Sequence, residues 1–264
     1  MMNTIISAIV ASILSLTAPA AGSYSSADHH AAINEVQPST LASGSIWKKD
    51  SYSVEGAFRF EHRDDGDFLV IEKDFSTKKG PDLKLVLSPL PYDTVTRKTA
   101  LDGSLIVSPL RSFTGTQEYK LPAGTDLSRY KSLLVHCQDK VKLWAAAPIH
   151  DGQLLAHGQS WTKKSKTIKG SWEIARTDEG LVLRLGDDFK TSSMPDLILL
   201  LSPKPMAQVT NNNAADGGHR FATLSSAKGS SQYVIKGIDS LDGFRSLVIH
   251  CEEYTKCWGG ADLN

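Results

Sequence analysis

Hydrophobic and polar residues alternate along most of the chain, and this pattern predicts short β-strands. Phe58 and Phe60 flank the polar Arg59, an Asp-Asp-Gly turn follows at 64–66, and a hydrophobic run occupies 68–71. A period of two on either side of an Asp-Gly turn is typical of a β-hairpin. Because no long stretch beyond the N-terminal segment has a helical period, the pattern predicts an all-β chain.

The same pattern occurs twice. Residues 47–150 align with residues 161–264 at a constant offset of 114 residues and without a gap. The hydrophobic run Leu83–Leu87 in the first copy corresponds to Leu197–Leu201 in the second. A period of this length is that of a whole domain rather than of a solenoid unit, and each copy can bury its own core. We therefore predict two tandem β-sandwich-like domains of the same fold.

The rest of the chain divides around the two copies. The N-terminus combines an apolar stretch, Ile5–Leu16, with the small-residue pattern Ala18-x-Ala20, which is typical of a secretory signal peptide. We expect a protein that is secreted, periplasmic or on the cell surface, without a transmembrane segment after signal removal. The predicted order is a signal peptide at 1–21, a flexible spacer at 22–46, copy 1 at 47–150, a linker at 151–160 and copy 2 at 161–264.

Composition narrows the class of partner. The 29 Lys and Arg residues equal the 29 Asp and Glu residues in number, and no long run of one sign occurs. Nucleic acid is therefore not expected as a partner, since such proteins carry a basic patch or stripe. The remaining expectation is an unidentified extracellular protein or redox partner.

Three cysteines carry the candidate chemistry. Cys137 and Cys251 end apolar strands at equivalent positions of the two copies, and strand parity places each on the same face as neighbouring aliphatic side chains. A thiol buried in this way is usually inert. Three interpretations stay open for these two residues: core packing, a redox or ligand role, and disulfide pairing. If a turn separates Cys251 from the third cysteine, Cys257, those two are the candidates for a disulfide.

A histidine precedes each strand cysteine. Adjacent residues of a strand point to opposite faces, so His136 and His250 are not expected to hydrogen-bond the cysteines that follow them. We expect each imidazole to be satisfied on the second face of its sheet. No catalytic residue is assigned and an enzyme is not favoured, because no nucleophile lies in a recognisable triad pattern. No metal site is predicted either, since a blue-copper set needs two histidines converging on the cysteine.

The blocks around these cysteines resemble the DM-thirteen domain, an extracellular module also called the electron-transfer DM-thirteen domain. Copy 1 carries all four segments of the family pattern: Gly80-Pro81-Asp82-Leu83, Leu87-Ser88, Leu121 to Leu127, and Tyr130-Lys131-Ser132-Leu133 ahead of Cys137. Copy 2 departs at three places, with Met194 for the glycine, Ile235-Lys236-Gly237-Ile238 in the third segment and Phe244 for the tyrosine.

The resemblance implies an all-β extracellular domain with a redox or electron-transfer role centred on the strand cysteine, as a free thiol or as a ligand to a prosthetic group such as haem. The cofactor is otherwise unknown. A covalent c-type haem is not expected because the chain lacks a Cys-x-x-Cys-His motif, whereas non-covalent haem stays open. The alternative function is an extracellular binding or adhesion module in which the cysteines are structural.

Overall fold

The computed structural model describes residues 38–193 and 195–263, and the predicted signal peptide lies outside this part of the chain. Apart from one 3-10 turn at Leu127–Arg129, all regular structure in these residues is β-strand. The all-β prediction is confirmed. Across the same residues, no helix is long and apolar enough to cross a membrane.

The first half of the chain forms the strands of copy 1. They are β1 (Ser39–Gly44), β2 (Lys48–Lys49), β3 (Val54–Glu55), β4 (Phe58–Arg63), β5 (Gly66–Ile71), β6 (Ser76–Thr77), β7 (Leu83–Ser88), β8 (Leu105–Pro109), β9 (Gln117–Lys120), β10 (Ser132–Cys137), β11 (Lys142–Pro148) and β12 (His150–Asp151).

The second half repeats this order as copy 2, except that its described residues form no strands equivalent to β3, β6 and β12. Its strands are β13 (Gln153–Gly158), β14 (Thr162–Lys163), β15 (Trp172–Thr177), β16 (Gly180–Leu185), β17 (Leu197–Ser202), β18 (His219–Thr223), β19 (Ser231–Ile235), β20 (Ser246–Cys251) and β21 (Lys256–Asp262).

Each copy is built around two antiparallel sheets, and copy 1 has in addition a two-stranded sheet of β3 and β6. In copy 1 the first sheet has the order β12-β1-β4-β5-β9 and the second has the order β2-β11-β10-β7-β8. Copy 2 repeats this arrangement as β13-β15-β16-β19 and β14-β21-β20-β17-β18. The central strands of each second sheet, β10 and β20, carry the cysteines, so the sheet order places both thiols in the middle of a sheet rather than at an edge.

The core of each copy lies between its two sheets. In copy 1, Phe58, Phe60 and Leu69 from the first sheet meet Leu85 and Leu133 from the second, and all five are at most 1% exposed. Equivalent residues form a separate core in copy 2. Since full burial of such a side chain contributes about 1.5–3 kcal/mol, these layers account for the pairing of the two sheets.

The second sheet of each copy is also covered on its outer face. The connection between β7 and β8 lays Val95 and Ala100 over Val86 and Leu134, which form a small buried cluster. In copy 2, the connection between β17 and β18 covers the sheet in the same way. Burial on both faces explains why β7 and β17 are continuous apolar runs rather than alternating sequences.

Two regions expected to be a spacer and a linker contain strands. Residues 39–44 form β1, the neighbour of β4, and residues 153–158 form β13, the neighbour of β15. Each strand is the first of its copy, so each copy begins earlier than residues 47 and 161. Both segments are short and rich in small residues, so their hydrophobic and polar positions do not form a pattern that predicts a strand.

The two copies are joined through backbone and side-chain contacts. Strand β12 pairs with β1 within copy 1, and the Ser43 hydroxyl of β1 donates to the carbonyl of Gly152, which lies between β12 and β13, at 2.9 Å. Ser45 of copy 1 donates through both its amide and its hydroxyl to Glu173 of copy 2, at 3.0 and 2.8 Å. Glu173 is 1% exposed and also pairs with Arg184 at 3.2 Å. The copies therefore pack together through a buried carboxylate.

Candidate redox site

Cys137 and Cys251 occupy the last positions of β10 and β20. Both side chains are 0% exposed and belong to the core between the sheets. The prediction that each thiol shares a face with neighbouring aliphatic residues is correct, because Leu133 and Val135 lie in the same core as Cys137. A thiol in this position cannot reach a partner's disulfide without opening of the domain.

The turn before β7 or β17 closes over each cysteine. Cys137 pairs with Leu83 across the sheet, and the next residue, Gln138, donates its amide to the Asp82 carbonyl at 3.0 Å. In copy 2 the Cys251 thiol donates to the carbonyl oxygen of Pro195 at 3.8 Å. The Gly-Pro-Asp-Leu segment and the cysteine, far apart in sequence, thus form one site.

A tryptophan completes this site in both copies. Trp144 and Trp258 are buried in the two cores, and their indole N–H groups donate to the carbonyls of Lys78 and Ser192 at 3.2 and 3.3 Å. A side chain at Gly80 would lie 2.8 Å from the Trp144 ring, so the glycine permits this close approach. The residue at this position in copy 2, Met194, lies outside the described residues.

The copies differ at the surface next to the tryptophan. In copy 1 the Tyr52 ring stacks obliquely on Trp144 with ring centroids 4.4 Å apart, and Lys78 Nζ lies 4.5 Å from the Tyr52 ring. Lys166 takes the place of Tyr52 in copy 2, with Nζ 5.8 Å from the Trp258 ring. Among the described residues, only those of copy 1 continue from the buried tryptophan to a partly exposed aromatic ring. The repeat alignment contains this difference, but the sequence alone did not connect it with the cysteine.

The predicted disulfide between Cys251 and Cys257 is absent, and all three cysteines of the chain are free. The expected turn does form, but Cys251 pairs with Lys256 and His250 pairs with Cys257 across the hairpin. Cys251 consequently faces the core between the sheets, whereas Cys257 faces the outer cluster. Opposite faces of the hairpin, rather than the length of the turn, prevent the bond.

His136 and His250 lie on the outer face of their sheets, away from Cys137 and Cys251, as strand parity predicts. The expected hydrogen bonds to their rings are missing. Both nitrogens of His136 and Nδ1 of His250 are buried without a partner among the described residues. Burial lowers the pKa of both imidazoles below the ordinary value, so the neutral form is favoured.

The residues around Cys137 and Cys251 do not fit a haem. The thiols lie within a layer that side chains from both sheets fill, and both cysteine side chains are 0% exposed. A haem would need an apolar cavity beside its axial ligand. Within residues 38–193 and 195–263, no group of three or more His, Cys, Asp or Glu side chains could hold a metal ion.

A cleft of about 710 Å³ lies where the two copies meet, and sequence reasoning missed it. Arg59, Glu72 and Asp74 of copy 1 line it together with Gln153 and His157 of copy 2. His157 Nε2 and Asp74 Oδ2 approach to 3.5 Å across the cleft. Its lining comes from both copies, so no signal within a single repeat could have revealed it.

Comparison with known protein families gives the same division of the chain into two copies. The profile of the family described as Electron transfer DM13 matches residues 34–149 and 160–263, and the first match includes the residues of β1. A search of curated proteins and a search of solved structures gave no significant match. Two matches cover most of the chain, one for each sandwich with its strand-end cysteine. The chain belongs to the Electron transfer DM13 family and carries two tandem copies of its domain.

Proposed function

We propose that this chain acts in electron transfer and that Cys137 and Cys251 are its redox-active groups, one in each copy. The observation that carries the proposal is the repeated meeting of cysteine, tryptophan and the turn before β7 or β17 at the same end of both sandwiches. The family description, which names electron transfer, supports the same role.

Full burial of the thiols determines the kind of chemistry. Thiol–disulfide exchange requires a thiolate to attack a sulfur atom directly, and a side chain that is 0% exposed cannot make that contact. Electron transfer needs no contact between the reacting atoms. In the proposed step the thiol loses one electron and its proton and becomes a thiyl radical. The electron passes to a one-electron oxidant, a metal centre of a partner protein, and the proton passes to a water molecule admitted when the turn over the thiol opens locally.

We expect copy 1 to transfer an electron from its cysteine to the surface faster than copy 2. Trp144 and Tyr52 extend from the core of copy 1 toward the surface, and both are oxidisable rings. Copy 2 has Lys166 at the second position, and an ammonium group cannot carry an electron hole. We therefore assign the surface beside Tyr52 as the docking side of the electron acceptor.

The test is oxidation of the full chain by photogenerated tris(bipyridine)ruthenium(III), followed by freeze-quench electron paramagnetic resonance. A sulfur-centred radical is expected in the wild type and not in the C137A/C251A double variant. Y52K, which copies the residue of copy 2, is expected to slow oxidation of Cys137 several-fold while oxidation of Cys251 serves as the internal control. Identical radicals in the wild type and the double variant would overturn the proposal.

A binding module is the second candidate, and the cleft between the copies favours it. Its charged and amide groups suit a ligand that carries many hydroxyl groups. The test is a printed glycan array probed with the labelled wild type, with Q153W to fill the cleft and with C137A/C251A. Binding that Q153W abolishes and the cysteine variant retains supports this candidate. Binding to no glycan, or equal binding by Q153W, contradicts it.

Export of the chain belongs to the same proposal. The predicted signal peptide at 1–21 ends in small residues, and free thiols in the two cores are protected from the oxidants of an extracellular compartment by burial. N-terminal sequencing of the mature protein tests this point. A mature chain that begins near residue 22 supports export, and a chain that begins at Met1 contradicts cleavage.

A further inference from the structure

Copy 2 carries two sulfur side chains on the outer face of its second sheet that copy 1 lacks. Cys257 and Met206 occupy the positions of Leu143 and Tyr92 in copy 1. Both are 0% exposed and belong to the same buried cluster, between the sheet and the connection that covers it. Two positions that carry no sulfur in copy 1 therefore both carry sulfur in copy 2, and both lie in one buried cluster.

A third donor faces the same cluster. His250 lies directly opposite Cys257 in the β20–β21 pairing, next to a β-bulge. Opposite residues of an antiparallel pair point to the same face, with Cβ atoms about 4.5–5.5 Å apart. His250 is only 5% exposed, and its Nδ1 is buried without a hydrogen-bond partner in the described part of the chain.

A buried nitrogen without a partner costs about 1–3 kcal/mol and calls for an explanation. His136 of copy 1 has the same environment, with Leu143 opposite its ring. An unpartnered imidazole is therefore common to both copies. Only in copy 2 does a thiol lie opposite the imidazole, so only there can one metal ion bind both the ring nitrogen and a thiolate.

Thiolate and thioether ligands select soft metals, Cu(I) and zinc among them, and imidazole binds both ions. Structural zinc takes four ligands, whereas only three candidate ligands among the described residues lie in this cluster, so Cu(I) fits it better. A metal–sulfur bond of about 2.3 Å and a metal–nitrogen bond of about 2.0 Å would span the distance between opposite residues of a strand pair. One Cu(I) with one thiolate is electrically neutral, so the buried site would acquire no net charge. Two or three soft donors suffice for this ion, which needs no cluster of carboxylates.

We propose that Cys257 and His250 bind one Cu(I) ion in copy 2, with Met206 as the third donor. The inference concerns a cysteine other than the redox candidates and does not depend on the proposed function. On binding, the Cu(I)–sulfur bond replaces the S–H bond, so one proton is released for each ion and no electron changes place.

The test is an anaerobic Cu(I) titration of the full chain in competition with bathocuproine disulfonate, with ascorbate as the reductant. The wild type is expected to bind one equivalent and to release one proton for each ion. C257L, which installs the residue of copy 1, is expected to lose this equivalent, whereas C251A keeps it. A C257L chain that binds as the wild type does, or a wild type that binds no ion, overturns the proposal.

A misfolded C257L would also lose copper, so a second measurement uses the wild type alone. Copper-edge X-ray absorption of the loaded chain is expected to show one imidazole nitrogen together with one or two sulfur ligands. A first shell of oxygen and nitrogen without sulfur contradicts the assignment regardless of the behaviour of any variant.

Discussion

Buried histidines give this protein a stability that depends on pH. Burial lowers the pKa of His136, His150 and His250 in the folded chain, relative to an ordinary value of 6.5. For His150, the nearby Glu173 carboxylate opposes this effect without reversing it. Below pH 6.5 the unfolded chain therefore binds more protons than the folded chain, and stability falls as the pH falls.

We expect the free energy of unfolding in urea to be lower at pH 5.5 than at pH 7.5. The loss is at most about 1.4 kcal/mol for each histidine, because pH 5.5 lies one unit below the ordinary pKa. H136L is expected to reduce the difference between the two pH values, and H62L, at an exposed ring, serves as the control. Equal stability at both pH values would contradict the account.

Several residue positions were predictable and others were not. The inward orientation of Cys137 and Cys251 follows from strand parity, which the sequence contains. The unpartnered nitrogens of His136 do not follow from it, because they depend on which side chains cover the outer face. The disulfide prediction failed for a related reason, since the face of Cys257 depends on the register of the hairpin.

At the scale of elements, the same tryptophan hydrogen bond occurs ahead of β4 in copy 1 and ahead of β15 in copy 2. The indole N–H groups of Trp47 and Trp161 donate to the carbonyls of Gly56 and Gly170 at 2.8 and 2.7 Å. Gly56 has a φ of +95°, and a Cβ there would lie 2.5 Å from the backbone of Phe75. Both the backbone conformation and the close approach therefore require glycine.

We expect Gly56→Ala to destabilise copy 1 more than Gly115→Ala does. Both positions have positive φ, but a Cβ at Gly115 would meet no atom within 4 Å. The left-handed conformation alone costs about 1–2 kcal/mol, and Gly56→Ala adds a backbone clash that should at least double this cost. Urea unfolding measures both variants. Equal costs would show that the close approach to Phe75 relaxes freely.

Elements with strong alternation were predictable, and elements fixed by long-range pairing were not. The β4–β5 hairpin and its copy-2 counterpart follow from alternation around an acidic turn. Strands β1 and β13 are short, carry small residues and find their partners only after the sheet forms. The spacer and linker predictions failed there because tertiary pairing, rather than local preference, makes these segments strands.

At the scale of the whole molecule, the buried carboxylate of Glu173 connects the two copies. It accepts two hydrogen bonds from Ser45 of copy 1 and pairs with Arg184 of copy 2. Its removal leaves Arg184, which is only 11% exposed, without a carboxylate partner and with the Gln232 side chain as its remaining hydrogen-bond acceptor. Loss of one member of a buried ion pair costs about 3–5 kcal/mol.

We expect E173A to lower the free energy of unfolding by about 3 kcal/mol. In calorimetry, the wild type should unfold in one transition, and E173A should separate or broaden it because the copies lose their shared contact. E179A, at an exposed position of the same hairpin, is the control and should remain within about 0.5 kcal/mol of the wild type. One unchanged transition in E173A would contradict coupling through this residue.

The strand cysteines Cys137 and Cys251 are buried and unpaired, so any redox role proceeds without an exposed thiol. Alkylation of the metal-free chain followed by peptide mass analysis tests both properties most directly, in the native state and in denaturant, with and without reductant. We expect no labelling of Cys137, Cys251 or Cys257 in the native state and full labelling of all three in denaturant without reductant. Rapid native labelling of Cys137 or Cys251, or labelling that requires reductant, would contradict this expectation.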